Sequence, residues 1–178
     1  MPNETELLSL LDPAGAQRSF ARIASDVSSI LPDAEIEHVG ATAVLGCLTK
    51  GDLDVLVRVT PADFPLAVRA LDATLRRSLR NDSTSDYIEY DFDRDGRSAS
   101  IQLVVAGCWH DRRFRQLKSA LASDGEALAR YNELKRYHEG LTMTDYRIAK
   151  VAFIDALLID STVSDESGDL TVVPGIRQ

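Results

Sequence analysis

The chain has 178 residues, of which 44% are hydrophobic and 27% are charged. This composition is ordinary for a globular protein of one domain and excludes the collagen-like, disulfide-scaffold and wholly disordered classes. Subtracting 28 acidic from 20 basic residues leaves a net charge of -8, which disfavours long nucleic acids and anionic membranes as partners. Cys47 and Cys108 have neither zinc nor redox spacing, so we expect free thiols in a cytoplasmic protein.

The first residues do not resemble a targeting segment. Glu4 and Glu6 stand where a secretion signal needs a basic stretch before an apolar run, and no apolar run approaches the roughly 20 residues that cross a bilayer. We expect a soluble protein with one domain over residues 1–160. The polar residues 161–178 are expected to form a loosely ordered tail.

Apolar spacing predicts the elements of the first half. A helix is expected over residues 14–30, after Asp12 and Pro13, and strands are expected over residues 36–39 and 53–59. A second helix is predicted after Thr60 and Pro61. Its apolar face is formed by Phe64, Val68, Leu71, Leu75 and Leu79.

Two further strands, over residues 87–92 and 98–105, flank Asp95-Gly96, which is a strong signal for a two-residue hairpin turn. If these two residues form the turn, Arg94 pairs with Arg97. The same register places Asp91 opposite Ser100 and Glu89 opposite Gln102, with all four side chains on one face.

The last third of the chain is helical by pattern. Three groups of apolar residues recur at helical spacing: Phe114, Leu117 and Leu121; Leu128, Tyr131 and Leu134; Tyr146, Ala149, Phe153 and Leu157. The whole layout predicts an α+β (α/β-like) domain, in which helices flank a small mixed sheet.

Candidate chemistry begins at a glycine turn after the first strand. Gly40 and the small residues Ala41 and Thr42 allow backbone amides at the start of a short helix to approach an anion closely. Taken alone, this pattern favours a tight turn without a ligand.

Two aspartates follow the turn. Asp52 and Asp54 are two residues apart, so a strand would place both carboxylates on one side. Such a pair is best tolerated beside a hard divalent cation such as Mg²⁺, which usually binds substrate phosphates as well. We favour this metal site over the alternative, an exposed acidic strand edge.

These motifs resemble the nucleotidyltransferase superfamily, which includes DNA polymerase beta, and more closely its GrpB-like branch. The run from Glu37 to Gly46 with Lys50 is similar to that branch's "EH-hydrophobic-GST-x-VPGL…K" pattern. Later, Tyr131, Leu134-Lys135, Tyr146, Lys150 and Phe153-Ile154 are similar to its "aromatic…LK…Y…K…FI" pattern. The resemblance covers about residues 12–158 and implies a nucleotidyltransferase fold with C-terminal helices, a nucleoside triphosphate as substrate and Mg²⁺ or Mn²⁺ as cofactor.

The sequence departs from that pattern at several positions. Ala41 replaces a serine or glycine, Leu45 and Gly51 replace prolines, and Ser100-Ile101-Gln102 replaces a His-hydrophobic-His strand. Active members of the superfamily usually carry a third carboxylate on such a strand, and Gln102 cannot act as one.

The hairpin register offers a substitute carboxylate. Glu89 or Asp91, one strand away, is a candidate catalytic base, although an ordinary solvated face of the sheet is an equally good interpretation of these residues.

The nucleotide-binding candidates are Gly40, Ala41, Thr42, Lys50, Gln102 and Lys150.

Three residues within these motifs have competing interpretations. Tyr146 and Lys150 are four apart on one helix face, where they would offer a ring for a base and a cation for phosphate. For Tyr146 a core position is favoured, whereas Lys150 stays open. His38 is expected to be a structural histidine.

We therefore expect a metal-dependent nucleotidyltransferase that acts on a small-molecule or protein acceptor, with Asp52 and Asp54 as metal ligands. The alternative is a nucleotide- or metabolite-binding module without turnover. An interaction protein that uses its C-terminal helices as a partner surface is a third hypothesis.

Overall fold

The structure is a computed structural model and describes residues 9–10, 12–80, 83–94, 97–139 and 142–166. In chain order, the helices in these residues are α1 (Pro13–Ile30), α2 (Phe64–Asp72), α3 (Trp109–Ser123), α4 (Gly125–Tyr137) and α5 (Met143–Glu166). The strands are β1 (Ser9–Leu10), β2 (Glu35–Val39), β3 (Leu48–Thr49), β4 (Leu53–Val59), β5 (Arg76–Arg77), β6 (Tyr87–Arg94) and β7 (Arg97–Val105). The expected α+β class is confirmed.

Five strands form one mixed sheet in the order β2-β4-β7-β6-β5, and β1 pairs separately with β3. Strands β4 and β7 are parallel, whereas the other neighbours in the five-stranded sheet are antiparallel. The predicted hairpin register is confirmed, because Glu89 pairs with Gln102 and Asp91 with Ser100. The turn residues 95–96 lie outside the described residues.

Helix α1 begins where the sequence predicts it. The Asp12 carboxylate accepts hydrogen bonds from the backbone amides of Ala14 (3.1 Å) and Gly15 (2.9 Å), and Pro13 occupies the first helical position. This cap satisfies amides that have no partner within the helix.

Helix α2 is shorter than its apolar pattern predicts, and this prediction is wrong beyond Asp72. Leu75 still packs against the core, but Leu79 is fully exposed. The intervening Arg76–Arg77 pairs with β6 instead. The helix ends early because pairing with the edge of β6 satisfies the backbone hydrogen bonds of Arg76–Arg77, which would otherwise be made within a longer helix.

Alternation along β4 separates the two faces of the sheet. Leu53, Val55 and Val57 lie in the main core, which α1 and α2 cover. Asp54 and Leu56 point to the opposite face, which α3 partly covers. The candidate chemistry therefore lies on the face opposite the main core.

The three C-terminal helices occur where the three apolar groups predict them. These helices pack on the segment between β2 and β4 and form a second apolar cluster with it. The cluster includes Val44 and Cys47 of that segment, Tyr131 of α4 and Leu157 of α5. Helix α5 continues to Glu166, beyond residue 160, and the remaining tail residues lie outside the described part of the chain. Within that part, no helix combines the length and apolarity that a membrane span requires.

Candidate functional site

The site is built on a row of residues that crosses the sheet. Asp54 of β4 pairs with Val39 of β2 and with Ser100 of β7, and Ser100 pairs with Asp91 of β6. Directly paired residues share a face of the sheet, with their Cβ atoms about 5 Å apart. The register therefore aligns Asp54, Ser100 and Asp91 on one face.

Gly40 lies at the end of this row, directly after β2. Its φ of 73° is in the region that favours glycine. A Cβ atom added to Gly40 would lie 2.0 Å from Oδ2 of Asp54, so the carboxylate occupies the space that a side chain would need. Glycine is required here by both the backbone conformation and the neighbouring carboxylate.

The electrostatics of Asp54 show which charges surround it. Burial raises the pKa of this carboxyl group, the ammonium of Lys150 opposes the increase, and the charges of Glu89 and Asp52 add to it. Arg80 also lowers the pKa. Asp54 is half-buried, whereas Asp52 is exposed and lies just before β4 begins at Leu53. The structure thus brings Gly40, Asp54 and Lys150 together from three separate elements.

Thr42 and His38 contact each other beside the turn. The ring nitrogen Nε2 of His38 lies 2.9 Å from the Thr42 hydroxyl oxygen, and the ring stacks on Phe20 with centroids 4.9 Å apart. Burial and, secondarily, Lys118 lower the pKa of His38 to about 4. His38 is therefore a neutral structural histidine in the folded protein, as expected. Ala41 packs against the second apolar cluster.

A cavity of about 170 Å³ lies next to the same turn. Thr42, His38 and Gln17 are among its lining residues, but neither Asp52 nor Asp54 lines it. The two aspartates therefore lie outside this cavity.

Two of the predicted nucleotide-binding residues have different environments. Gln102 is buried and accepts a hydrogen bond of 2.7 Å from the Tyr87 hydroxyl group, so its side chain is not exposed to a ligand. Lys50 is exposed and lies between β3 and β4.

Glu89 and Asp91, the candidate bases, share one arginine that the sequence analysis missed. Nη2 of Arg80 lies 2.9 Å from Glu89 and 2.8 Å from Asp91, and it donates to the Ser100 hydroxyl at 2.8 Å. The pattern of the second helix hid this residue, because the helical spacing puts Arg80 off the apolar face of that helix. Only the early end of α2 brings Arg80 back over the sheet.

Helix α4 supplies two further residues that sequence reasoning did not place in the site. Asn132 donates to the Gly46 carbonyl oxygen (2.9 Å) and accepts from the Leu48 amide (2.8 Å). The buried Lys135 donates to the Leu48 carbonyl oxygen at 2.5 Å and lies 3.4 Å from Sγ of Cys47. Burial lowers the pKa of Lys135, and the nearby Cys47 thiol opposes this decrease. These contacts hold the segment that joins the glycine turn to the aspartates.

The remaining predicted core residues behave as expected. Tyr131 is buried and stacks on Phe153 with ring centroids 5.4 Å apart. Burial raises the pKa of the half-buried Tyr146, and a hydrogen bond with Tyr131 opposes this increase. Cys47 and Cys108 are free thiols, the first buried and the second half-buried.

Among the residues that the structure describes, there is no group of three or more His, Cys, Asp or Glu side chains arranged to hold a metal ion. Asp54 lies against the glycine turn, and the exposed Asp52 is two residues before it in the chain. Two carboxylates fit the needs of Mg²⁺ where substrate phosphates complete its coordination.

Comparison with known proteins places this chain in a family. A family model described as GrpB protein matches residues 12–159. A UPF0157 protein of Vibrio cholerae serotype O1 is 31% identical over 147 residues, which are 82% of this chain and 77% of that protein.

Two solved structures show the same fold. The crystal structure of the conserved protein GrpB from Enterococcus faecalis has a TM-score of 0.70 at 18% identity, covering 86% of this chain and 96% of that one. The Cid1 poly(U) polymerase with Mg 3'-dATP bound has a TM-score of 0.51 at 14% identity, covering 74% of this chain and 43% of that one. The expected nucleotidyltransferase fold is thus confirmed, and the chain belongs to the GrpB family.

Proposed function

We propose that this protein binds a nucleoside triphosphate together with Mg²⁺ or Mn²⁺ and transfers the nucleotidyl group to a small molecule or a protein side chain. One observation carries the proposal: the Asp54 carboxylate lies against Gly40, where a Cβ atom would approach Oδ2 to 2.0 Å. A turn suited to phosphate and a carboxylate suited to a metal ion therefore share one edge of the sheet.

Asp52 and Asp54 are the residues that would hold the metal ion. When bound, the ion would stabilise the charge that develops on the phosphates and on the departing pyrophosphate. The raised pKa of Asp54 supports this role, because a divalent cation would favour the charged form that burial disfavours.

The phosphates are assigned to the glycine turn and to two lysines. The backbone amides of Gly40, Ala41 and Thr42 face the phosphates in this proposal, with Lys50 and Lys150 supplying positive charge. Lys150 is the better supported of the two, because its ammonium already acts on Asp54. Gln102 is buried beside Tyr87 and is not assigned to the phosphates.

The transfer step forms one bond and breaks one. The acceptor oxygen attacks the α-phosphorus, the bond between that phosphorus and the bridging oxygen breaks, and pyrophosphate leaves with the electron pair. Glu89 or Asp91 takes the proton of the acceptor hydroxyl.

The net charge of -8 favours an acceptor other than a long nucleic acid. Another Cid1 structure, with a TM-score of 0.51, is described for an RNA terminal uridylyl transferase activity. That substrate belongs to Cid1, whereas the acidic surface of this chain argues for a small or proteinaceous acceptor. The free Cys47 and Cys108 are consistent with our placing the protein in the cytoplasm.

A second candidate function is a nucleotide- or metabolite-binding module without turnover. The ion pairs of Arg80 with Glu89 and Asp91 favour it, because the guanidinium already engages both carboxylates that would have to act as the base. The two candidates differ in turnover and share the binding site.

Calorimetric titration with each nucleoside triphosphate, with and without Mg²⁺ or Mn²⁺, tests the shared site. We expect metal-dependent binding that raises the melting temperature, because the ligand binds only the folded state. Asp54→Asn should abolish both effects, whereas Asp33→Asn, an exposed carboxylate in the turn before β2, should keep them. Equal nucleotide binding by wild type and Asp54→Asn would refute the site.

Pyrophosphate release across a panel of acceptors separates the two candidates. A transferase releases pyrophosphate only when triphosphate, metal and acceptor are all present. Replacing both candidate bases, Glu89→Gln with Asp91→Asn, should lower the rate about 10²- to 10⁴-fold if either acts as the base. Binding without release for any acceptor establishes the module instead.

A further inference from the structure

We propose that Cys47 and Lys135 form a redox modification site, in which a peroxide oxidises the thiol and the lysine amine then captures the sulfur in a reversible S–N cross-link. The two residues are 88 positions apart, one in the segment between β2 and β4 and the other in α4. The inference goes beyond the proposed function and does not depend on it, because the site needs neither a nucleotide nor a metal ion.

The two atoms that would react are already in contact. Nζ of Lys135 lies 3.4 Å from Sγ of Cys47, and groups poised to react are typically about 3–3.5 Å apart. The same Nζ atom donates to the Leu48 carbonyl oxygen at 2.5 Å and lies 4.3 Å from the centroid of the Tyr131 ring. These contacts hold the amine beside the sulfur.

Burial prepares the lysine to act as a nucleophile. The Lys135 residue is only 4% exposed, and Cys47 is 3% exposed. Burial lowers the pKa of Lys135 because it disfavours the ammonium form, and the neighbouring Cys47 opposes this decrease. A lysine with a lowered pKa has more of the neutral amine, which is the form that attacks an electrophile.

A cavity gives a small oxidant access to the buried sulfur. Cys47 is one of the residues that line the cavity of about 170 Å³ beside the glycine turn. The exposed Leu10 and Leu45 also line it, so the cavity reaches the protein surface. A water molecule takes about 30 Å³ in the liquid, and hydrogen peroxide is larger by one oxygen atom, so the cavity has room for it.

The reaction has two steps. The Cys47 thiolate attacks one oxygen of hydrogen peroxide, the O–O bond breaks, and the other oxygen leaves as hydroxide, which the proton of the thiol converts to water. Sulfur is thereby oxidised by two electrons to a sulfenic acid, and the peroxide is reduced. The neutral amine of Lys135 then attacks the sulfur, the S–O bond breaks, and the oxygen leaves as a second water with a proton from the nitrogen.

The net change distinguishes this product from other oxidised forms of cysteine. Each of the two side chains loses one hydrogen, and no oxygen is retained. A dithiol such as dithiothreitol reverses the cross-link, because it reduces the sulfur to the thiol, releases the amine and is itself oxidised to a cyclic disulfide.

Cys108 provides a matched control. It is the only other cysteine in the chain, and it packs against a different apolar cluster from that of Cys47. Its Sγ accepts a hydrogen bond of 3.4 Å from the Asp111 amide at the start of α3. A disulfide between the two cysteines would also remove two hydrogens, so Cys108→Ser separates a disulfide from the proposed cross-link.

The test is the intact mass of the full chain after treatment with hydrogen peroxide, followed by peptide mapping. Wild type and Cys108→Ser should each lose about 2 Da and yield a peptide that joins Cys47 to Lys135, and dithiothreitol should reverse both changes. Cys47→Ser should show no such loss. Lys135→Arg should gain oxygen at Cys47 instead, because the guanidinium stays protonated and cannot capture the sulfur. Mapping separates these changes from oxygen added to the two methionines.

Circular dichroism checks that each variant is folded. If Lys135→Arg is not, treatment of wild type in urea replaces it, because unfolding separates the two side chains and should abolish the cross-link. A loss of hydrogens that persists in Lys135→Arg or in urea overturns the inference, as does a loss that disappears in Cys108→Ser. Oxygen added to Cys47 with Lys135 left free, or a Cys47 that peroxide leaves unchanged, also overturns it. Each of these results leaves the proposed function standing.

Discussion

The contact between Gly40 and Asp54 predicts a large and specific cost for a single methyl group. In Gly40→Ala, the new Cβ would lie 2.0 Å from Oδ2, 2.8 Å from Cγ and 2.9 Å from Cβ of Asp54. Rotating the aspartate side chain moves the first two atoms but not its Cβ, which is fixed to β4. The backbone or the strand must therefore shift.

Two physical terms make up the cost. Alanine at the positive φ of 73° adds about 1–3 kcal/mol of backbone strain. Overpacking against a side chain that cannot fully retreat adds a further ~1–3 kcal/mol. We expect Gly40→Ala to lower the free energy of unfolding by about 2–6 kcal/mol.

Gly51→Ala is the matched control for the strain term. Gly51 has a φ of 101°, and no heavy atom lies within 4 Å of the position that its Cβ would take. This variant should lose only about 1–3 kcal/mol, so the difference between the two variants measures the contact with Asp54. Asp54→Ala removes the two nearest atoms, and in that background Gly40→Ala should cost less.

Urea denaturation at neutral pH gives the free energies of unfolding for the four proteins and the double variant. The reasoning is refuted if Gly40→Ala is no more destabilising than Gly51→Ala, or if the Asp54→Ala background leaves its cost unchanged. Either result would mean that the carboxylate does not occupy the space over the glycine.

The remaining predictions concern pH and buried charge. The pKa of His38 is about 4 in the folded protein, below its ordinary value of 6.5, which we take for the unfolded chain. The neutral ring therefore contributes its full stabilisation above pH 6.5, and this contribution is lost as the pH falls towards 4. Urea denaturation at a series of pH values should show that His38→Gln removes up to about 3 kcal/mol of this loss of stability, whereas the control His138→Gln keeps it. If the free energy of unfolding falls equally with pH in wild type and in His38→Gln, the assignment is wrong. Asp111, which is 1% exposed and accepts from Arg58 at 2.8 Å and 3.2 Å, should cost about 3–5 kcal/mol as Asp111→Ala. The half-exposed ion pair of Asp155 should cost at most about 1 kcal/mol as Asp155→Ala, and similar losses at the two positions in urea denaturation would argue against the burial of Asp111.

Local sequence determined the elements whose signals are short in range. The Asp95-Gly96 turn signal sets the hairpin register, because a two-residue turn leaves one way to pair the strands. That register correctly placed Glu89 opposite Gln102 and Asp91 opposite Ser100. Helical periodicity likewise located the three C-terminal helices, since each buries one apolar stripe.

The proximity of Gly40 and Asp54 was also predictable from the sequence. Strand β2 ends at Val39, directly before the glycine, and Val39 pairs with Asp54 across the sheet. The glycine turn and the aspartate strand follow each other along the chain as neighbouring elements of one sheet, which is why the order of the motifs indicated a shared edge.

The tertiary structure alone decided the charges around that edge. Arg80 reaches Glu89 and Asp91 only because Arg76–Arg77 forms a strand that pairs with β6 and does not continue the helix. This pairing depends on β6, which lies later in the chain. Lys135 is buried only because α4 packs on the segment that contains Cys47 and Leu48. Local spacing indicates which face of a helix or strand a residue occupies. The partner that it meets there is set by packing between distant segments. Because lysine and arginine are usually exposed, nothing in the sequence indicated that these two would be engaged with buried groups.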